Sequence, residues 1–274
     1  MATAASGEVV TLLDGQDGRV SRLVRTAGLV RAHAGVPVAL VGGLAVLFRV
    51  HNGQHRATQD VDMVSDETAE VVATSGIAAD NLVRSSLARR DSTTASTRLF
   101  IKVEPSDAID DETKVEIIET MSVTAVEAAS IEPERSRLFV VAHRWALESA
   151  TECTVAVVNT GVRETLPVAT SAAIVAMKLH SIQDRTDDRK RASDAWDLYR
   201  LLDSHNRSGE ISRAFVAGPD LLAGLADDAL SRIFKSAATQ TRRWVIGFGE
   251  PEWGDLLTVD ALTDLADEFT DQLR

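Results

Sequence analysis

Cysteine is almost absent from this chain of 274 residues, in which Cys153 is the only one. A single cysteine excludes an intramolecular disulfide and a zinc site built from cysteines, so the composition is typical of a reducing compartment. Cys153 lies in an apolar run, where a small buried side chain explains it better than a nucleophile does.

Long hydrophobic runs are also missing. No window approaches the roughly 20 apolar residues that a membrane-spanning helix needs. The N-terminal segment lacks the basic start and the apolar centre of a signal peptide, so we expect a cytoplasmic protein. Apolar residues make up 45% of the chain and charged residues 26%, which indicates a globular protein of one large or two modest domains.

Positively charged residues are fewer than negatively charged ones. The chain has 29 Lys and Arg and 41 Asp and Glu, which gives a net charge of −12. This argues against a protein that coats nucleic acids, because such binding depends on basic side chains that release counterions from phosphates. A local basic face is still compatible with this balance. The residues that it would use are Arg84, Arg89, Arg90, Arg185, Arg189, Lys190 and Arg191.

A glycine pair follows the first apolar run that predicts a buried strand. The run covers residues 38–41, Pro37 before it excludes a continued helix, and Gly42 and Gly43 come directly after it. A short helix over residues 44–50 is predicted next. Residues without a Cβ let the backbone and the first N–H groups of a helix approach a ligand closely, and a triphosphate is the natural ligand.

Two carboxylates come next in the chain. Asp60 and Asp62 are separated by one valine, and because strand side chains alternate, both can point to one face. Mg²⁺ takes one or two carboxylates and completes its shell with water and phosphate oxygens, so these residues can hold it. Arg56 and Thr58 precede them in the pattern Arg-x-Thr-x-Asp-Val-Asp, and we expect both to contribute to binding a nucleotide.

A third carboxylate lies on a neighbouring predicted strand. Residues 98–104 and 113–119 alternate like paired strands, with turn residues between them. Glu116 shares a face with Lys114 and Ile118. It is a candidate for the same site, but a solvated side chain of an amphipathic strand explains it equally well.

A helical hairpin is predicted over residues 171–202, with a first helix to residue 183 and a second from residue 193. Lys178 interrupts an apolar face of the first helix, and Asp194 and Asp197 lie on the second. A lysine ammonium can neutralise the charge of a triphosphate and its leaving pyrophosphate, and an aspartate can orient that lysine. The alternative is a set of surface ion pairs, which contribute little to stability.

Other segments complete the predicted fold. Residues 8–34 have apolar positions at helical spacing and predict one or two helices. Residues 138–143 and 153–158 predict strands, and a turn at residues 159–161 leads into a further strand over residues 162–168. The chain beyond residue 206 is acidic and helical in pattern.

The glycine pair, the Arg-x-Thr-x-Asp-Val-Asp segment and the stretch from Lys178 to Asp197 resemble the AbiEii/MenT group of nucleotidyltransferase-fold toxins, in scattered blocks between residues 36 and 205. The resemblance implies an α/β (α+β) fold: a nucleotidyltransferase-like mixed sheet with flanking helices over residues 1–168, and a helical domain over residues 169–274. It also implies the toxin of a bacterial toxin–antitoxin or phage-defence pair. Such a toxin transfers NMP from an NTP to the 3′ ends of tRNA and is silenced by a neighbouring antitoxin.

The resemblance also implies roles for individual residues. Asp60 and Asp62 would hold one or two Mg²⁺ ions, and Glu116 stands where nucleotidyltransferase folds carry a third carboxylate that binds metal or acts as base. Lys178 and Asp194 would face the nucleotide, with Asp194 the better candidate of the two aspartates.

This sequence departs from the group at two points. Gly43 stands where many nucleotidyltransferases carry a serine, so backbone N–H groups must replace a hydroxyl ligand of the phosphate. The separation between Gly43 and Asp60 is also longer than in the general pattern.

Two alternatives stay open at this point. The acceptor can be a small molecule, as in antibiotic-modifying nucleotidyltransferases, for which the acidic charge would suit a cationic substrate. The chain can also be a catalytically silent nucleotide-binding module, against which the intact carboxylate pattern argues.

Overall fold

A computed structural model of the protein describes residues 8–50, 58–66, 76–91, 98–103, 112–248 and 253–274. The chain divides into two compact units, Met1–Ser122 with Ala146–Thr170 and Val123–Trp145 with Ser171–Arg274. Over the described ranges, no helix has both the length and the apolar character needed to span a membrane. Arg56 lies outside these ranges, and so does the segment over residues 67–74, for which the sequence predicts a capped helix.

The first unit is built on one mixed sheet, in which the described residues form eight strands. The strands are β1 (Glu8–Leu12), β2 (Val38–Val41), β3 (Asp60–Asp66), β4 (Ala88–Arg90), β5 (Arg98–Lys102), β6 (Glu112–Thr120), β7 (Thr151–Val157) and β8 (Val162–Val168). Their order in the sheet is β1-β7-β8-β2-β3-β6-β5-β4. β2 runs antiparallel to β3, whereas β3 and β6 are parallel, so the predicted α/β class with a mixed sheet is confirmed.

The helix predicted from residue 8 is wrong over its first part, which forms strand β1 at an edge of the sheet. β1 pairs in parallel with β7, with Val10 opposite Val155 and Leu12 opposite Val157. These two β1 side chains are buried while their neighbours are exposed, which is the period of a strand with one face covered. The partner strand lies far away in the sequence, so local spacing did not reveal it.

In the described part of the first unit, the sheet is accompanied by α1 (Arg19–His33), α2 (Gly42–Arg49) and α3 (Ile77–Arg84). α1 carries the buried stripe Leu23, Val24, Ala27 and Val30, at the spacing of one helix face, and it packs on the sheet. α2 begins at the first residue of the glycine pair, two residues earlier than predicted.

The two faces of β3 and β6 differ in character. Val61, Met63, Val115 and Ile117 are completely or almost completely buried on one face. The opposite face carries the partly exposed residues at the alternate positions of both strands. The sheet therefore has an apolar face that belongs to the core and a polar face at β3 and β6.

The second unit is helical throughout its described residues. Its helices are α4 (Ala125–Ser130), α5 (Glu134–Glu148, whose last residues belong to the first unit), α6 (Ser171–Asp184), α7 (Asp188–His205), α8 (Glu210–Val216), α9 (Leu222–Leu230), α10 (Ala238–Phe248), α11 (Trp253–Leu256) and α12 (Val259–Gln272). A π-helical segment, Ser231–Ser236, follows α9 directly.

The strand predicted at residues 138–143 is wrong, because these residues form the middle of α5. Leu138, Val141, Ala142 and Trp145 are buried, which is the i, i+3, i+4, i+7 spacing of an amphipathic helix. The consecutive β-branched valines suggested a strand, but propensity is weaker than a tertiary contact that buries one helix face. Trp145 packs edge-on against Phe215 of α8 within the second unit.

The predicted helical hairpin is present as α6 and α7, which pack on each other. α7 begins at Asp188, five residues before the predicted start. The side chain of Asp187 accepts hydrogen bonds from the backbone N–H groups of Arg189 and Lys190 and so caps the first turn.

Candidate active site

Gly42 and Asp62 are in close contact where β2 ends and α2 begins. Gly42 has φ +68°, in the left-handed region that favours glycine. A Cβ at this position would lie 2.7 Å from Cγ and 2.8 Å from Cβ of Asp62. Both the backbone conformation and the space therefore require glycine here, and they bring the Asp62 carboxylate to the first turn of α2.

The pairing of β3 with β6 brings the three predicted acidic residues to one face of the sheet. Asp60 is opposite Lys114 and Asp62 is opposite Glu116 in the parallel register. We call the face that carries Asp60, Asp62 and Glu116 the carboxylate face. Its acidic side chains are partly exposed, in contrast to the buried valine between the first two.

Two cations lie among these carboxylates. Nζ of Lys114 is 3.1 Å from Oδ2 of Asp60 and 3.6 Å from Oε2 of Glu116. Arg98 of β5, which is opposite Glu116, has its Nη2 atom 3.7 Å from the same glutamate oxygen. The period of a strand places Lys114 on the same face as Glu116. Its ion pair with Asp60 depends on the register of β3 against β6, which the local sequence does not predict.

The donor chemistry of the carboxylate face fits Mg²⁺, which takes carboxylate oxygens and completes its shell with water and substrate phosphates. Asp60 and Asp62 can supply the carboxylate ligands. Among the described residues, no group of three His, Cys, Asp or Glu side chains is arranged to hold a metal ion. The role of Glu116 as a third ligand stays a prediction.

The other residues predicted to bind nucleotide are distributed as follows. Gly43 lies in the first turn of α2, where backbone N–H groups have no partner within the helix. Thr58 is buried, and its hydroxyl donates a 3.4 Å hydrogen bond to the backbone carbonyl of Asp60. Thr58 therefore fixes the entry of the chain into β3.

Lys178, Asp194 and Asp197 form a buried ion cluster in the second unit. Nζ of Lys178 is 2.6 Å from Oδ1 of Asp194 and 2.8 Å from Oδ2 of Asp197. The three side chains are 7%, 3% and 1% exposed, so the alternative of surface ion pairs is wrong. The cluster connects α6 to α7.

Asp194 has two further partners that the sequence analysis missed. Its Oδ2 atom accepts hydrogen bonds from Oγ of Ser181 at 2.8 Å and from Nε of Arg185 at 2.6 Å. Burial raises the pKa of Asp194, but the charges of Lys178 and Arg185 and the hydrogen bonds outweigh it and lower this pKa to about 2. Residues 178 and 181 share one face of α6, and Arg185 directly follows the last residue of that helix, so the spacing carried part of the signal.

Two of the residues predicted for a basic face, Arg89 and Arg90, lie on opposite faces of the sheet. Arg89 is opposite Phe100, which is opposite Lys114, so it lies on the carboxylate face. It is bonded to Glu112, and its guanidinium is 4.2 Å from the centroid of the Phe100 ring. Arg90 alternates to the opposite face and is paired with Asp80.

The family model described as "Nucleotidyl transferase AbiEii toxin, Type IV TA system" matches residues 23–248. No curated protein gives a match. Among solved structures, the chain is similar to the crystal structure of an antigenic nucleotidyltransferase-like protein from Paracoccidioides brasiliensis, with a TM-score of 0.48 and 16% identity. That alignment covers 83% of this chain and 93% of the other.

The family match spans the glycine pair, β3 and the α6–α7 hairpin, and it confirms the resemblance that these segments suggested. An NTP substrate and an antitoxin partner follow from the family. The chain belongs to the AbiEii family and is a nucleotidyltransferase, the toxin of a type IV toxin–antitoxin system.

Proposed function

We propose that the protein transfers a nucleoside monophosphate from an NTP to the 3′ end of tRNA, releases pyrophosphate and depends on Mg²⁺ held by Asp60 and Asp62. The observation that carries the proposal is the contact between Asp62 and Gly42, where a carboxylate meets the start of a helix at a residue that cannot carry a Cβ. A metal ligand and a phosphate-binding helix start belong together in a site for a metal-bound triphosphate.

The site residues of the first unit have defined tasks in this proposal. Asp60 and Asp62 hold the metal, and the N–H groups at Gly42 and Gly43 donate to phosphate oxygens. A bound Mg²⁺ supplies charge neutralisation at the α-phosphate and the departing oxygen. The protein holds these groups in place before the substrate arrives, because the β3 register and the Gly42 conformation are fixed by the fold.

The transfer itself needs a base near the acceptor hydroxyl. The hydroxyl oxygen attacks the α-phosphorus, its proton goes to a carboxylate, and the bond from the α-phosphorus to the bridging oxygen of pyrophosphate breaks. Glu116 is the candidate base, since it is in register with Asp62 and its side chain is 34% exposed.

Support for a nucleic-acid acceptor comes from the family resemblance and from the charges beside the carboxylates. Arg89, Arg98 and Lys102 alternate onto the carboxylate face along β4 and β5. The ion pairs of Arg89 with Glu112 and of Arg98 with Glu116 are partly exposed to solvent, so phosphates of an RNA can compete for these two arginines.

The test is incubation of the protein with each α-³²P-labelled NTP, Mg²⁺ and total tRNA, beside Asp62→Asn. We expect label on tRNA with the wild type alone, and none when EDTA is present. Pyrophosphate release that requires a small-molecule extract instead of tRNA would assign the acceptor to that class. Absence of both label and pyrophosphate with every NTP would contradict the proposal.

The roles of Lys178 and Asp194 in the reaction stay predictions. Their burial supports a function in fixing the α6–α7 hairpin of the second unit. Any loss of transfer in a Lys178 variant has to be separated from a loss of folding.

A further inference from the structure

Lys114 competes for the carboxylates that the proposed function assigns to the metal. Its ammonium is bonded to Asp60 at 3.1 Å and is 3.6 Å from Glu116. The lysine side chain is 30% exposed and each of the two carboxylates is 34% exposed. A metal ion bound at Asp60 and the ammonium therefore compete for the same carboxylate.

The backbone of Lys114 is fixed while its ammonium is free to move. Lys114 is opposite Asp60 in a register that extends over seven residue pairs of β3 and β6, so it cannot leave the carboxylate face without breaking the sheet. Its side chain is a flexible four-carbon stem that ends in a point charge. The ammonium can therefore leave Asp60 and stay close to the carboxylate face.

The competition is weak enough for a divalent ion to win. Ion pairs between partly exposed side chains contribute little, because solvent screens them and holding two long side chains has an entropic cost. A divalent cation carries twice the charge and binds carboxylates directly. The ammonium that it displaces is then available to anionic groups of a substrate.

We propose that Lys114 holds the Asp60 carboxylate in the metal-free protein and leaves it when a divalent cation binds. Lys114 is then a positioning residue, which keeps Asp60 and Glu116 together before metal arrives and makes metal binding an exchange of cations. The proposal rests on the proposed function, because it requires Asp60 and Asp62 to be metal ligands.

The test is Mn²⁺ binding to the full chain without nucleotide, followed by the electron paramagnetic resonance signal of free Mn²⁺. Lys114→Met should lower the Kd for Mn²⁺ about two- to fivefold, since removal of partly exposed ion pairs releases that much competition. Lys114→Arg retains a cation and should stay within about twofold of the wild type. Lys114→Gln replaces the methionine variant if that variant does not fold.

Lys102→Met is the matched control for the loss of one positive charge. Lys102 is exposed on the carboxylate face of β5 and is opposite Glu112, two residue pairs beyond the pair of Phe100 with Lys114. Lys102→Met should change the Kd less than half as much as Lys114→Met. Equal effects of the two variants would mean that only net charge matters and would overturn the proposal.

Asp62→Asn separates failure of this proposal from failure of the metal site. If Asp62→Asn weakens Mn²⁺ binding while Lys114→Met leaves the wild-type Kd unchanged, the metal site stands and the role of Lys114 is wrong. If wild type, Lys114→Met and Asp62→Asn all bind Mn²⁺ equally, the metal site itself is wrong, and the exchange fails with it.

Discussion

The buried cluster of Lys178, Asp194 and Asp197 makes a strong prediction about stability. Lys178→Met keeps the length of the side chain and removes the charge that faces both aspartates at 2.6 and 2.8 Å. Removal of one member of a buried ion pair costs about 3–5 kcal/mol, because the other charge is left uncompensated. Arg185 still bonds Asp194, so we expect the lower end, about 3 kcal/mol.

The assay is unfolding in urea followed by tryptophan fluorescence. All four tryptophans, at positions 145, 196, 244 and 253, belong to the second unit, so the signal reports the unit that contains the cluster. The double variant Lys178→Met/Asp197→Asn removes one uncompensated carboxylate and should recover at least about 1 kcal/mol.

Lys235→Met is the matched control for this prediction. Lys235 pairs with Asp267 in the same unit, but their side chains are 38% and 53% exposed, so the variant should cost at most about 1 kcal/mol. A cost for Lys178→Met no larger than that of Lys235→Met, or no recovery in the double variant, would refute the reasoning. Loss of transfer in Lys178→Met is informative about chemistry only where its fluorescence is native.

Two further predictions concern backbone conformation and pH. Gly42→Ala should weaken Mn²⁺ binding at least about tenfold, because a Cβ at this position displaces Asp62. Gly161→Ala, at φ +70° with open space around it, has the same backbone strain of about 1–2 kcal/mol but displaces no ligand, so it should bind Mn²⁺ normally. His143, whose Nδ1–H donates to the carbonyl of Phe139, has a pKa lowered by burial to about 4. The contribution of the neutral, buried His143 to stability is therefore complete above pH 6.5 and is lost as the pH falls. The free energy of unfolding should drop by about 2–3 kcal/mol between pH 7 and pH 4.5, and His143→Gln should remove most of that drop in urea titrations. A drop of the same size in His143→Gln would contradict this account. His180, whose ring lies near that of His143, is then the other residue to replace.

The parts of the fold that follow local rules were predictable. The strand before the glycine pair, the hairpin of β7 and β8 and the helices α6 and α7 are set by apolar runs, turn residues and helical periodicity. β1 was not predictable, because five residues with three apolar side chains fit a helix and a strand equally well until β7 pairs with them. In α5 the consecutive valines favour a strand locally, whereas the buried positions have helical spacing that shows only once the helix packs.

In the candidate site, too, local rules predict some features and not others. The shared face of Asp60 and Asp62 follows from the two-residue period of a strand. The partners of these residues do not follow, because Lys114 and Gly42 reach them through strand pairing and a left-handed backbone conformation. In the second unit, the sequence singled out Lys178 and two aspartates, but whether they are exposed or buried is decided by the packing of α6 on α7.

The most direct test of the central claim compares three substitutions of aspartate by asparagine on one strand. Asp60→Asn and Asp62→Asn change the proposed metal ligands, whereas Asp66→Asn changes the aspartate at the other end of β3. With circular dichroism confirming the fold of all three, we expect transfer of labelled NMP to fall at least about 100-fold in the first two. Asp66→Asn should retain wild-type transfer. Full transfer by either of the first two variants would contradict the assignment of the active site to these carboxylates.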